Sequence, residues 1–288
     1  PESFLVYSPD VEGCLETQES TVRIARPCHS SKPEQQWLWV SRRRLFNLGT
    51  LSCLLVPSAS NSTSNAISTY QCDENFYFIR RCETLLEQLT AALLTQTSNA
   101  TGLQQPPAKT SGQWLIFGTD KSICSAVFQD IYTIQGNSNG RPCAIPFKYD
   151  NQWFYACTST GREDGHLWCA TTVDYGKDEK WGFCPVKSAD CETFWDKDPL
   201  THSCYQFNFQ SALSWGEAWT SCLQQDANLL SINEIHEQTY INDQPSNSEE
   251  ENCAVIRTET LGAWQNRNCY NALPYVCKKS SKRSLPSV

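Results

Sequence analysis

Short strand-like runs alternate with turn residues through the first part of the chain. "FLVYS", "TVRIA" and "QWLWV" are each bounded by turn residues and read as strands. Only "ETLLEQLTAALL" has a helical period. The pattern up to about Phe128 is that of an all-β domain with one helical or loop insertion. A faint internal repeat runs through it. Cys14-Leu15 and Cys53-Leu54 each open a strand, and each is followed by a second cysteine, Cys28 and Cys72. The apolar run after the first pair contains Gln35-Gln36-Trp37, and a further Gln113-Trp114 comes later.

Past the turn-rich stretch "IQGNSNGRP" the pattern changes. Nine aromatic rings lie between Cys143 and Cys184, more than so short a segment can bury in a core of its own. From Cys191 onward a mixed pattern returns. In "SWGEAWTSCLQQ", Ser214 followed by Glu217 is a capping-box arrangement, and Trp215, Ala218, Trp219 and Cys222 fall on one helical face. A second short helix is expected from Asn233, carrying Ile235, His236 and Tyr240. No apolar run approaches the roughly eighteen residues of a spanning helix.

Composition sharpens this picture. The 288 residues give room for two or three modest domains, and 16 cysteines with no methionine read as a disulfide framework in an oxidising compartment. Cys82 and Cys124 complete the cysteines of the first domain. Two glycosylation sequons, at Asn61 and Asn99, lie in polar stretches expected to be exposed turns. Zinc binding calls for Cys-x-x-Cys pairs or clustered His and Cys, and no Cys-x-x-Cys occurs. A formal charge of −8 argues against nucleic acid, because phosphate binding rests on lysine and arginine. Arg42-Arg43-Arg44 reads as a solvated turn. The start at Pro1, without a charged and apolar leader, is what a processed secreted chain would show.

The Gln-x-Trp pattern with recurring Cys-Leu resembles the ricin B-type β-trefoil of the cysteine-rich domain in the mannose-receptor family. A trefoil buries an aromatic per lobe, so Trp37 is expected in the core. The middle segment resembles the fibronectin type II module: Cys143, Pro146-Phe147, Tyr149, Cys157, Trp168-Cys169, Asp174-Tyr175, Trp181, Phe183 and Cys184 stand at its spacings. That resemblance implies pairing of Cys143 with Cys169 and of Cys157 with Cys184. It also implies a collagen- and gelatin-binding pocket of Tyr149, Phe154, Trp168, Tyr175 and Trp181, with Phe147 and Phe183 packed inside. Asn151 and Arg162 would bond the carbonyls of the ligand strand, and His166 would sit at the rim. The chemistry suits the ligand: a collagen strand is extended, imino-acid-rich and solvated along its backbone, and flat rings hold it at small entropic cost.

"SCYQF", "SWGEAWTSC" and "ALPYVCKK" resemble a C-type lectin-like domain, which implies pairing of Cys191 with Cys204, Cys222 with Cys277 and Cys253 with Cys269. Two departures stand out. "EIHEQTYIN" runs straight into "DQPSNSEEENC", so the central Trp-Ile-Gly-Leu-type core strand is missing. Where sugar-binding members carry Ca²⁺-ligating carboxylates, this chain has Gln244-Pro245-Ser246 and Trp264-Gln265-Asn266. Neither sugar binding there nor any bound metal is expected. Glu249, Glu250 and Glu251 read as a solvated acidic turn.

Type II modules also occur inside gelatin-degrading metalloproteinases, so catalysis must be weighed. His236-Glu237 begins a zinc-protease signature, but Tyr240 stands where the second histidine is required. No nucleophile elbow or phosphate loop appears, and His29 and His202 form no catalytic pair. The reading is a binder without cofactor. Its expected layout is a trefoil over 1–128, a linker over 129–142, a type II module over 143–186, a shortened lectin-like domain over 187–278 and a basic tail over 279–288. The order of the modules resembles the mannose-receptor family. That resemblance implies an endocytic collagen receptor, held in the plasma membrane by a region outside this chain or secreted as a truncated form, with pro-urokinase and its receptor as possible partners. The alternative is a lectin that binds sulfated sugars through its trefoil, for which Trp114 is the one aromatic candidate.

Overall fold

The structure is a computed structural model that describes residues 3–56, 67–72, 81–101, 111–126, 128–188, 191–198, 203–231, 253–257 and 263–280. It divides into two compact units, Pro1–Asp130 and Ile131–Val288.

The first unit is a closed sheet. Its strands are β1 (Phe4–Ser8), β2 (Gly13–Gln18), β3 (Thr21–Ala25), β4 (Gln36–Val40), β5 (Arg44–Asn47), β6 (Ser52–Leu55), β7 (Ser68–Tyr70) and, after helix α1 (Cys82–Thr101), β8 (Leu115–Ile116). They run in the order β2-β3-β7-β6-β5-β4-β1-β8, and β1 also pairs β2, which closes the ring. Val6, Leu15, Trp37, Trp39 and Leu45 fill it. Trp37 is core, as expected, and its Nε1 donates to the Leu15 carbonyl at 2.9 Å. Gln35 is buried beside it, donating to Glu16 Oε2 at 2.8 Å and accepting from the His29 amide at 2.7 Å. Helix α1 is longer than its apolar pattern indicated, and buries Leu85, Leu89 and Ala92 against the same core. Asn99 therefore lies in helix rather than in a turn; its side chain and all of Asn61 are outside the described residues. Disulfides Cys14–Cys28, Cys53–Cys72 and Cys82–Cys124 tie the unit.

The second unit begins with two small hairpins. Strands β9 (Phe147–Tyr149) and β10 (Gln152–Phe154) meet at a two-residue turn in which Asp150 and Asn151 are both left-handed, with φ of 47° and 60°. Strands β11 (Trp168–Ala170) and β12 (Trp181–Phe183) pair across the one-turn helix α2 (Tyr175–Asp178). Bridges Cys143–Cys169 and Cys157–Cys184 form as the type II pattern implied. Their four sulfurs lie within 4.8 Å of one another, but each is spent in a disulfide and so is no metal ligand.

The expected linker 129–142 is largely not one. Ile134 exchanges backbone hydrogen bonds with Phe183, and Thr133 crosses Gly182 so closely that a Cβ there would meet the Thr133 Cβ at 2.4 Å. The glycines and asparagines of "IQGNSNG" looked like flexible chain because their tertiary role leaves no periodic signal.

The remainder holds β13 (Asp196–Lys197), β14 (Ser203–Leu213), α3 (Trp215–Leu223), β15 (Asn228–Leu229), β16 (Cys253–Arg257), β17 (Ala263–Arg267) and β18 (Leu273–Ser280). The long β14–β18 pair carries β13 and β15 on its two sides, and β16–β17 is a separate hairpin. Bridges Cys191–Cys204, Cys222–Cys277 and Cys253–Cys269 close as the lectin-like resemblance implied. At the start of α3 the Glu217 carboxylate accepts from both the amide and the hydroxyl of Ser214. The single apolar face expected on this helix is split. Ala218 and Cys222 are buried, whereas Trp215 and Trp219, 48% and 43% exposed, stack on each other at 5.8 Å. Where an apolar centre would be expected, Gln206 and Gln225 exchange two amide hydrogen bonds of 2.8 and 2.9 Å, both fully enclosed. The helix expected from Asn233, the His236–Tyr240 stretch, His202 and the Gln244–Ser246 and Glu249–Glu251 segments lie outside the described residues.

Candidate ligand-binding site

The two hairpins of the second unit bring their rings to one place. The period of two in a strand puts Phe147 and Tyr149 on one face of β9, and their cross-strand partner Phe154 joins them. By the same rule Trp168, Trp181 and Phe183 share a face of the β11–β12 pair. Helix α2 delivers Tyr175; it is started by Asp174, whose carboxylate accepts from the Gly176 amide.

Trp168 is the hub. Its ring lies 5.1 Å from Tyr149, 5.2 Å from Tyr175, 5.5 Å from Phe147 and 6.4 Å from Trp181. It is only 4% exposed, and its Nε1 is taken up by the Thr160 carbonyl at 2.9 Å. Around it Tyr149, Phe154, Tyr175 and Trp181 are half-buried, each with part of its ring in solvent. The geometry is a buried floor with four partly open walls, mostly in edge-to-face contact, which leaves faces available. Burial raises the Tyr175 hydroxyl pKa, and the nearby Glu179 carboxylate adds to it. The phenol therefore stays a neutral donor.

Arg162 closes one side. Its guanidinium carbon sits 4.8 Å over Trp181 and 4.4 Å over Phe183, and its Nε donates to Asp164 Oδ1 at 2.9 Å. The hydrogen bonds from Arg162 hold the Asp164 carboxyl well below its usual range. The ion pair is therefore kept at any physiological pH and fixes the guanidinium as a lid on the two rings.

Two family profiles match the chain: "MRC2-like, N-terminal cysteine-rich domain" over residues 1–125 and "Fibronectin type II domain" over residues 143–184. Human C-type mannose receptor 2 is 53% identical over 321 residues, covering 97% of this chain and 22% of its own length. The chain belongs to the mannose-receptor family. The human secretory phospholipase A2 receptor is 32% identical over 96% of the chain and likewise 22% of its own length. This mannose-receptor chain thus spans about a fifth of the relatives it matches. The aligned 321 positions exceed its 288 residues, so the relatives carry residues with no counterpart here. Among solved structures, the C-type lectin domain of murine dendritic cell inhibitory receptor 2, in complex with N-glycan, matches 32% of this chain and 99% of its own, with 20% identity and a TM-score of 0.26. The relatives are receptors by name, and the two matched profiles are binding modules. No described helix is long and apolar enough to cross a membrane.

The structure rearranges several expected roles. All five expected pocket rings come together, but Trp168 is the sealed floor and not an open wall. Phe147 and Phe183 are interior, as expected. Asn151 is exposed in the β9–β10 turn. Arg162 holds a ring stack and an ion pair. The half-buried His166 packs its ring on Phe183 at 5.9 Å and on Phe194 of the third module at 5.4 Å.

Other residues escaped the sequence reading. Asn137 accepts from the Trp181 amide at 2.9 Å and donates to the Glu179 carbonyl at 2.9 Å, while its own amide reaches the Trp181 carbonyl at 3.1 Å. It therefore sets the position of a wall ring from within the supposed linker. Gly161 lies against the Tyr149 ring, where a Cβ would meet the hydroxyl at 2.3 Å. In the first unit Trp114 is buried, with Nε1 donating to Thr90 Oγ1 at 3.0 Å, so it offers no open face to a sugar.

Proposed function

We propose that this chain is the collagen- and gelatin-binding part of an endocytic receptor that captures collagen for uptake and breakdown at the outer side of the plasma membrane. The observation that carries this is the ring cluster of Tyr149, Phe154, Tyr175 and Trp181 over buried Trp168, kept partly open by two disulfides. A single polyproline-like strand presents ridges of imino acids with no internal hydrogen bonds, and half-open rings bind it at little cost in side-chain freedom. Two findings support the reading: the type II profile covers the residues that build the site, and the chain resembles C-type mannose receptor 2 along almost its whole length. The surplus of aligned positions supports the further reading that the lectin-like domain lacks its central segment.

The test is retention of the full chain on immobilised gelatin. Wild-type chain is expected to be retained, and Trp181→Ala, which removes a half-open ring without touching the buried floor, is expected to elute early with its disulfides intact. Equal retention of the two would overturn the assignment of this face. Failure of the folded wild-type chain to bind gelatin would overturn the function itself.

A further inference from the structure

The run of rings does not stop at the edge of the second module. Trp181 meets Phe183 edge-on at 5.0 Å, and Phe183 packs on Phe194 of the third module at 4.7 Å. Phe194 lines a hollow of about 490 Å³ together with Gln135, Glu192, Trp195, Asp196 and Phe207. On the far side Phe207 belongs to a ladder on β14. Tyr205, Phe207 and Phe209 occupy alternate positions on one strand face, with near-parallel rings 6.4 and 5.6 Å apart. Phe207 is 43% exposed and Phe209 68%. Open aromatic surface of this extent on one strand face marks a place of contact.

One ring of the lining is already engaged by a cation, since the Lys279 ammonium stands 4.2 Å from the Trp195 ring centroid. Among the described residues lining it, the two charged ones, Glu192 and Asp196, are both acidic. Ring faces beside carboxylates form a receptor for a cation: the rings attract it through their quadrupoles, and the carboxylates accept its N–H groups. The hollow lies two ring-to-ring steps of 5.0 and 4.7 Å beyond Trp181, with the interior Phe183 between them. A polyproline-like strand rises ~3.1 Å per residue, so about three residues cover that path.

We propose that this hollow is a second subsite, which takes a lysine or arginine side chain carried by the same extended strand whose imino acids rest on the rings of the second module. The inference builds on the proposed function: the second module reads the strand's imino acids, and the third reads a basic residue about three positions away. Affinity then depends on the sequence of the strand as well as on its shape.

The test titrates the full chain with three short single-chain Gly-Pro-Pro repeat peptides. One is neutral, one carries a central arginine in place of a proline, and one carries glutamate there. The arginine peptide is expected to bind roughly three- to ten-fold more tightly than the neutral one, the range that a cation–ring contact and exposed ion pairs supply. The glutamate peptide is expected to bind more weakly than the neutral one. In a Glu192→Gln/Asp196→Asn double variant, and separately in Phe207→Ala, the arginine preference should vanish while affinity for the neutral peptide is unchanged. If all three peptides bind alike, or the variants keep the preference, the subsite is wrong, even where Trp181→Ala still weakens every peptide. If the folded chain binds none of the peptides and no gelatin, the ring-face reading falls and takes the subsite with it.

Discussion

The Tyr149 hydroxyl lies so close to Gly161 that a β-carbon there would stand 2.3 Å from the oxygen. Gly161 also has a φ of +79°, where side-chain-bearing residues are strained. Gly161→Ala is therefore expected to push the Tyr149 ring out of the wall. Its thermal unfolding should show a loss of about 1–2 kcal/mol, and gelatin retention should drop. Unchanged retention would mean that Tyr149 contributes nothing to the binding face.

Trp168 and Trp181 should separate stability from binding. Removing the buried Trp168 ring leaves a cavity under four others, and Trp168→Ala is expected to cost about 3–5 kcal/mol. Trp181→Ala, half-open in solvent, should cost under about 2 kcal/mol yet abolish most gelatin retention. Denaturant titration of both variants beside the column assay makes the comparison. A binding-competent Trp168→Ala chain of normal stability would contradict the hub geometry.

Asn137 should behave as a positioning residue. Its side chain holds two backbone groups around Trp181, so Asn137→Ala is expected to lose about 1–2 kcal/mol of stability and to weaken gelatin binding. Asn137→Asp keeps the acceptor for the Trp181 amide but loses the donor, and should restore part of the binding. Equal defects in the two variants would argue against the bond to the Trp181 amide as the one that matters.

Acid should act on the first unit through Glu16. Burial pushes this carboxyl up, but hydrogen bonds from Lys32, Gln35 and Arg23 outweigh it and bring the pKa down to about 2. With the folded value below the usual 4.5, the stabilisation is complete above pH 4.5 and lost as pH falls toward 2. Its size should be about 2 kcal/mol, because Arg23 and Lys32 are themselves about half exposed and partly screened. Unfolding measured between pH 6 and pH 2 should show this slope, and Glu16→Gln should flatten it. An equal slope in the variant would place the acid sensitivity elsewhere.

Patterns that repeat over several residues were legible before any coordinates. Strands β1, β3 and β4 appear as short strand-like runs bounded by turn residues, and the long type II and lectin-like spacings implied the bridges of the second unit that the structure closes. Trp37 was recognisable as core because the trefoil it resembles buries an aromatic per lobe. Features made by residues distant in sequence were not legible. Trp168 looked like every other ring of its segment, and only the Thr160 carbonyl over its Nε1 shows that it lies beneath them. Asn137 read as linker because its three bonds reach residues 42 and 44 positions away. The helix face of Trp215 and Trp219 misled for a related reason: helical spacing says which residues align, and what packs against them is set elsewhere in the chain.

The pairing of β1 with β2 has a consequence for a chain built of several tethered modules. Neighbours on one chain meet at effective concentrations that reach millimolar, where an unpaired strand rim would invite exchange or templated aggregation. Among the described residues the circuit from β1 to β7 presents no such rim, and the two-residue β8 stands outside it. Partners of the first unit are therefore expected to be recognised chiefly through side chains and loops, because adding a strand within the closed circuit would require it to open.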